Sequence, residues 1–519
     1  MLSRMLSVAL LGIDATIVRV EAHASSGLPA INTVGLPDSA VRESRERVRS
    51  AILNSGFTYP QRRLTVNLAP ADIRKVGSSL DLPVAVAIVA LNEGALIEPV
   101  QEKALLLGEL SLDGSVRPVP GTLSAALEAK SRGVGRILVP AANATEAALV
   151  GGVDVVPITS LAEAVAVLNG GPQDGREVAS PDSNGPEQLA LLLASAGARG
   201  LDMSDLRGQT SARRALEVAA AGGHNILLIG PPGAGKTMLA RRLPTILPPL
   251  TLEEAIEVTR IHSAATRGGA RGLVTERPFR SPHHTASDVA LVGGGGASWG
   301  VRPGEVSLAH HGVLFLDEVG QFRRHALEAL RQPLEDCFVT VSRVSRTVRF
   351  PAAFSLIAAM NPCKCGFLGS RSRECLCTPP QIAQYRNRVS GPLLDRIDLH
   401  VEVPAVAYKE MSEEEPGESS AAVRARVVAT RNRQRGRSEG FCNARLPSAL
   451  IRKHCELDAA GRRLMEQAMS KLGLSARGHD RVLKVARTIA DLAGSVRIGR
   501  DHLAEAIQYR TLDRSPENR

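Results

Sequence analysis

Residues 230–237 read GPPGAGKT, a complete G-x-x-x-x-G-K-[ST] pattern. An apolar run, Ile226 to Ile229, leads into it, and a helix-compatible MLARRL follows. Strand, glycine-rich loop and helix in that order form a cradle. Its backbone N–H groups converge on a triphosphate, with the positive end of the helix dipole behind them. Gly230, Pro231, Pro232, Gly233, Ala234 and Gly235 supply the loop. Lys236 would reach the β- and γ-phosphates of ATP, and Thr237 would hold Mg²⁺. Asp317 stands 80 residues beyond Thr237, in GVLFLDE. Four apolar residues followed by two carboxylates suit a buried parallel strand that opens into the same crevice. Asp317 would anchor Mg²⁺ and Glu318 would polarise the attacking water. Strand alternation would aim the two acids at opposite faces. Each motif alone has a structural reading; the pair favours NTP hydrolysis.

Further polar residues follow at strand and helix ends. Phe354 to Met360 reads as an apolar strand ending in Asn361, which could orient the lytic water. Arg396, after a short helix in PLLDRIDLH, could reach the γ-phosphate of a neighbouring subunit. Arg477, at a helix start in LSARGHD, could contact phosphates in cis. Phe338–Ser342 and Thr347–Phe350 alternate like a hairpin with Arg343 and Arg346 at its tip. Those two arginines are candidate DNA phosphate contacts and Arg349 a weaker one; the alternative is a solvated hairpin edge. Cys363, Cys365, Cys375 and Cys377 form C-x-C-x₉-C-x-C around Gly366 and Gly369. Four thiolates at that spacing suit a structural Zn²⁺, with redox-active or incidental cysteines as alternatives. His283 and His284, in SPHHTAS, read as a polar turn or a nucleotide contact.

These residues need several elements to hold them. At 519 residues the chain exceeds one core. Segments up to residue 170 alternate strand-like and helix-like patterns: RRLTVNLAP, ALLLGELSL and RILVPAA against ALEAKSRG and LAEAVAVL. The opening SVALLG is too short for a signal segment and reads as a strand. Residues 171–200 begin with a Gly/Pro/Ser-rich linker, 201–408 form the α/β nucleotide core, and 409–519 form a helical lid. No apolar run reaches membrane-spanning length. From Ala421 to the end there are 21 Lys and Arg against 10 Asp and Glu, while the preceding 420 residues are nearly neutral. That concentration suggests a polyanion partner, nucleic acid first, or an arginine-rich composition on solvated helices. Seven cysteines, none before Cys337, fit a reducing, cytoplasmic compartment.

The ordered set resembles the AAA+ ATPases. The resemblance matches Gly230–Thr237 to Walker A and Asp317–Glu318 to Walker B. It matches Asn361 to sensor 1, Arg396 to the arginine finger and Arg477 to sensor 2. Asp205, Gly208 and Gln209 match the entry segment beside the adenine. RPFRSPHHTASDVALVGGGG and PGEVSLAHHGVLFLDEV are similar to the magnesium-chelatase-like branch, with Gly293–Gly296 in its helix-2 insertion. The N-terminal region resembles the Lon protease proteolytic domain. That pattern puts Ser79 at the nucleophile and its activating lysine near Leu123 or Ala125. Neither is a lysine, and Lys75, Lys103 and Lys130 do not match, so a non-proteolytic Lon-like fold is expected. All three regions together resemble the YifB/ComM family. That resemblance implies a hexameric, ATP-driven motor that migrates branched DNA during recombination. A chelatase-type motor acting on a protein partner is the rival.

Overall fold

The computed structural model describes residues 1–92, 104–170, 200–266, 272–295, 301–343, 346–369, 373–405 and 417–510, apart from 74, 76 and 439. Lys103, Gly296, most of the 171–200 linker and the stretch 406–416 lie outside these residues.

The first seven-stranded sheet runs Ala30–Val34, Arg63–Ala69, Asp14–Ser25, Leu2–Leu11, Ala104–Leu106, Arg136–Pro140, Asp154–Ile158 in spatial order. The opening segment is therefore a strand, paired antiparallel to Asp14–Ser25 from Leu2↔His23 to Leu11↔Asp14. Alternation along Arg136–Pro140 sends Leu138 into one core and Ile137 and Val139 into the other. A strand buried on both faces needs helices on both. Ser39–Asn54, Asp81–Val89 and Leu161–Leu168 supply one side, and Thr122–Ser131 the other.

The second sheet has five parallel strands in the order Phe279–Arg280, Val313–Leu316, Ser355–Met360, Ile226–Ile229, Leu399–Glu402. Ile226 and Leu228 face one core, Leu227 and Ile229 the other. The first of these cores continues into Ser420–Arg437, Ala459–Leu472, Ala476–Leu492 and Arg500–Gln508. The C-terminal helices thus pack on the second sheet through Thr210–Gly222 instead of standing apart from it.

Two contacts join the sheets. The turn at Gly12 and Ile13 presses on the hairpin Phe338–Arg343/Arg346–Pro351: Ile13 shares a core with Val341, Val348 and Phe350. A Cβ on Gly12, which has φ +69°, would lie 2.4 Å from Val348 Cγ1. Helix Leu252–Ala265 makes the second contact. Arg260 pairs with Asp14 at 2.8 Å, and Ser263 Oγ donates to Glu146 at 2.6 Å.

Candidate functional site

Gly230 follows the buried strand Ile226–Ile229, and a Cβ there would lie 2.0 Å from Val403 O. Gly233 and Gly235 take φ +78° and +81°, a conformation that side chains resist. Gly235 then caps helix Lys236–Ile246. The turn from strand to helix therefore depends on these glycines, as the pattern predicts.

Three strand ends converge here. Lys236 Nζ donates to Gly230 O at 2.7 Å, Pro231 O at 2.9 Å and Asn361 Oδ1 at 3.1 Å. Thr237 Oγ1 donates to Asp317 Oδ2 at 2.9 Å. The hydroxyl and carboxylate expected to share Mg²⁺ are thus adjacent, a hard-oxygen pair that fits such an ion. Burial pushes the Lys236 ammonium below its ordinary value, against the pull of Asp317 and Glu318.

Glu318 departs from the expectation of strand alternation. The strand ends at Leu316, and Glu318 sits at φ 50°, ψ 47°. Its N–H donates to Asp317 Oδ1 at 2.9 Å. A left-handed turn, not the pleat, separates the two acids. Such a conformation costs a non-glycine residue on the order of 1 kcal/mol and is typical of strained functional positions.

Gln209, also left-handed at φ 52°, donates through Nε2 to Ala234 O inside the loop. Gly208, at φ +64°, precedes it. Asp205 closes a capping box with Asp202 and pairs with Arg242 at 2.7 Å.

Arg396 and Arg477 lie elsewhere. Both line a cavity of about 880 Å³ with Asn225, Gly312, Ser355 and Asp398. Those four stand at the starts of parallel strands, whereas the Lys236 crevice opens at their ends. Arg477 does begin its helix, behind the N-cap Ser475. It lies with Asn225 and Asp398 at the strand starts, whereas the cis contact expected of it would be at the strand ends beside Lys236. Arg396 is 6% exposed and pairs with Glu335 at 2.7 Å. Asp398 ties this region together: it accepts from Arg481, from His224 Nδ1 at 3.1 Å and from Asn225 N at 3.2 Å. His224 Nε2 meets Thr488 Oγ1 at 2.8 Å. Burial alone would raise the Asp398 carboxyl; Arg481 and His224 outweigh it and hold Asp398 well below the usual carboxylate range. Sequence reasoning missed this latch, although Asp398 and Arg481 sit within two residues and four residues of the arginines it singled out.

Other expected residues fall as follows. The rings of His283 and His284 lie 4.1 Å apart, tilted by 36°, in a turn where His283 Nδ1 meets Thr285 Oγ1 at 2.9 Å. Arg343 and Arg346 pair across the hairpin; their side chains lie outside the described residues. Arg349 covers the Phe338 ring at 3.3 Å. Gly293–Gly294 pair with Arg302–Pro303. Ser79 O accepts from Gly108 N, while Leu123 and Ala125 are wholly buried. Lys75 Nζ donates to Pro70 O, and Lys130 Nζ to Val150 O at 3.1 Å.

Among the described residues, two clusters have metal-ligating atoms within 4.8 Å: the four cysteines, and Glu257 with His310 and His311. In the second, Ala353 N–H donates to His310 Nδ1 at 2.9 Å, so the ring proton sits on Nε2 and points at Glu257, 3.1 Å away. A metal on Nε2 would have to break that arrangement, so this trio reads as a hydrogen-bonded anchor.

Comparison with known proteins decides the family. Residues 202–411 match the model described as magnesium chelatase, subunit ChlI. Residues 20–143 match that of subunit ChlI of Mg-chelatase, and 417–510 the ChlI C-terminal model. YifB of Salmonella typhimurium is 46% identical over 508 residues, covering 98% of this chain and 96% of that protein. Competence protein ComM of Haemophilus influenzae is 43% identical over 508 residues, 98% of this chain and 97% of its own. The chain belongs to the magnesium-chelatase-like YifB/ComM family. YifB of Escherichia coli is 45% identical over the same span. AAA+ membership implies ATPase activity, and the mixed α/β architecture with its helical C-terminal region fits it. Among the described residues no helix is long and apolar enough to cross a membrane.

Proposed function

We propose that this protein is an ATP-hydrolysing AAA+ motor acting on DNA, a branch-migration helicase working as a homo-hexameric ring in recombination and natural transformation. The observation that carries the ATPase half is the convergence of Lys236, Thr237, Asp317 and Asn361 within hydrogen-bonding distance. In this reading Lys236 neutralises the β- and γ-phosphates and the loop N–H groups hold them in place. Glu318 takes the proton of the attacking water, and Asn361 orients that water. Thr237 and Asp317 would hold Mg²⁺, which when bound would supply charge neutralisation on the phosphate oxygens. Arg396 and Arg477 act on the phosphates of a neighbouring protomer, because their own crevice lies at the far end of the strands.

The DNA half is supported by the relative named competence protein ComM and by exposed cations in the C-terminal region: Arg452, Lys453, Arg462, Arg463 and Lys471 on its helices and Arg497 between the last two. Other C-terminal arginines serve the fold. Arg426 pairs with Glu217 and Glu418, and Arg437 and Arg487 with Asp491. That internal use, with the chelatase family match, favours a protein-remodelling motor as the second reading. ATP turnover measured alone and with single-stranded, duplex and four-way-junction DNA separates the two. A several-fold, junction-dependent rise is expected; indifference to every DNA would refute the helicase.

A further inference from the structure

Cys363 is wholly buried two residues past Asn361, and three half-buried cysteines close around it. Cys363 Sγ lies 3.3 Å from Cys365 Sγ and 3.6 Å from Cys375 Sγ, and Cys365 lies 3.6 Å from Cys375. With Cys377, all four sulfurs fall within 4.8 Å of one another. A tetrahedral ion with thiolate bonds of about 2.3 Å sets its sulfurs about 3.8 Å apart. The four are free thiols, so no disulfide accounts for the convergence. Backbone N–H groups of Phe367 and Leu376 point at Cys365 Sγ, the outer hydrogen bonding that orients a thiolate ligand.

The surroundings say what an ion here would do. Gly366, at φ +87°, lies against the phosphate loop: a Cβ there would sit 2.7 Å from Pro232 Cδ and 3.9 Å from Asn361 Cγ. Beyond Cys377 the chain enters helix Pro379–Arg386 and turns back on the same region. Arg386 Nε donates to Pro362 O at 3.3 Å, and Arg388 Nη1 donates to Gly320 O at 3.2 Å. The Tyr385 ring stands 3.4 Å from where a Gly320 Cβ would be. One loop and its helix therefore touch the phosphate loop, the Asn361 strand end and the turn after Glu318.

We propose that Cys363, Cys365, Cys375 and Cys377 bind one Zn²⁺ as a closed tetrathiolate site, and that this ion braces the three loops of the nucleotide crevice. The metal half stands alone; the bracing half rests on the ATPase reading. Four ligands leave no open position, so the ion is structural and does not touch substrate. Soft thiolates select zinc over magnesium, so the two ions do not compete for their sites.

The test uses the full chain, purified under reducing conditions without added chelator. Elemental analysis is expected to find one zinc per chain, absent from a Cys375→Ser/Cys377→Ser double variant. Cobalt(II) exchange is expected to give the intense thiolate charge-transfer and tetrahedral ligand-field bands of an S₄ site. Absence of stoichiometric zinc and of those bands would overturn the metal site, whatever the ATPase result. Stripping zinc should weaken binding of a fluorescent ATP analogue about tenfold, the scale at which outer contacts tune a site. Gly366→Val keeps all four thiols and guards against unfolding of the stripped protein. It should retain zinc yet lose nucleotide affinity. Unchanged affinity in that variant would overturn the brace and leave the metal in place.

Discussion

Lys236 has three N–H donors, and Gly230 O, Pro231 O and Asn361 Oδ1 accept from it. An incoming phosphate must take over at least one of these bonds, and the bond to Asn361 Oδ1 is the longest of them, with the one side-chain acceptor among the three. Lys236→Ala is expected to lower ATP turnover at least a hundredfold, read by phosphate release; wild-type turnover would refute the site. Glu318→Gln keeps the left-handed turn and removes only the base. It should bind ATP with near-normal affinity and hydrolyse it on the order of a hundredfold more slowly, a typical loss for a general base. Fast turnover would strip Glu318 of that role. Lys236, Thr237 and Asp317 were legible because the loop pattern and an apolar strand are local signals. The geometry of Glu318 was not, since nothing in GVLFLDE says where the pleat stops.

At the scale of elements, helix Asp81–Val89 carries a carboxylate in its first turn with 2% exposure. Burial pushes Asp81 up to about 6, although Arg47 at 2.7 Å and the Leu110 N–H pull it down. The folded value lies above the unfolded one of about 3.9, so the folded state holds the proton more tightly. Its contribution to stability is complete below about pH 4 and is lost as pH rises through 6. Relative to Asp81→Asn, the wild type should lose on the order of 2 kcal/mol between pH 4 and pH 7. Parallel melting curves for the two proteins across that range would refute the shift. Several helices were readable from periodicity: Leu161–Leu168, Ser420–Arg437 and Ala459–Leu472 fall within a residue or two of their apolar patterns. Their docking was not. Arg477 was expected beside its own nucleotide, and order along the chain says nothing about which end of the strands a helix meets. The buried Asp398–Arg481 pair and the His224–Thr488 contact decide that, across 83 and 264 residues.

At the scale of the whole molecule, the proposal that neighbouring protomers share catalysis makes a specific mixing prediction. Lys236→Ala subunits retain arginines, and Arg396→Ala subunits retain an intact loop. Random co-assembly of the two inactive variants should recover about a quarter of wild-type turnover, since one interface type in four then joins a good loop to a good arginine. Arg477→Ala should behave likewise. A mixture as dead as its parts would return both arginines to a structural role. For the DNA reading, affinity should fall linearly on a logarithmic salt scale. Replacing Arg452, Lys453, Arg462 and Arg463 by alanine should flatten that slope by up to about 0.9 for each phosphate no longer neutralised. A slope unchanged by these substitutions would move the interface off the C-terminal helices. The net charge of this region was legible from composition; the share of it consumed internally by Glu217, Glu418 and Asp491 was not.

The wedge formed by Gly12 and Ile13 has a practical corollary. Amputating the first 170 residues would lay bare the greasy flank of the hairpin at Val341, Val348 and Phe350, and strand Arg260 without its carboxylate partner. The truncated chain would come out of the cell sticky and prone to clump, while the same two pieces produced side by side would shield one another.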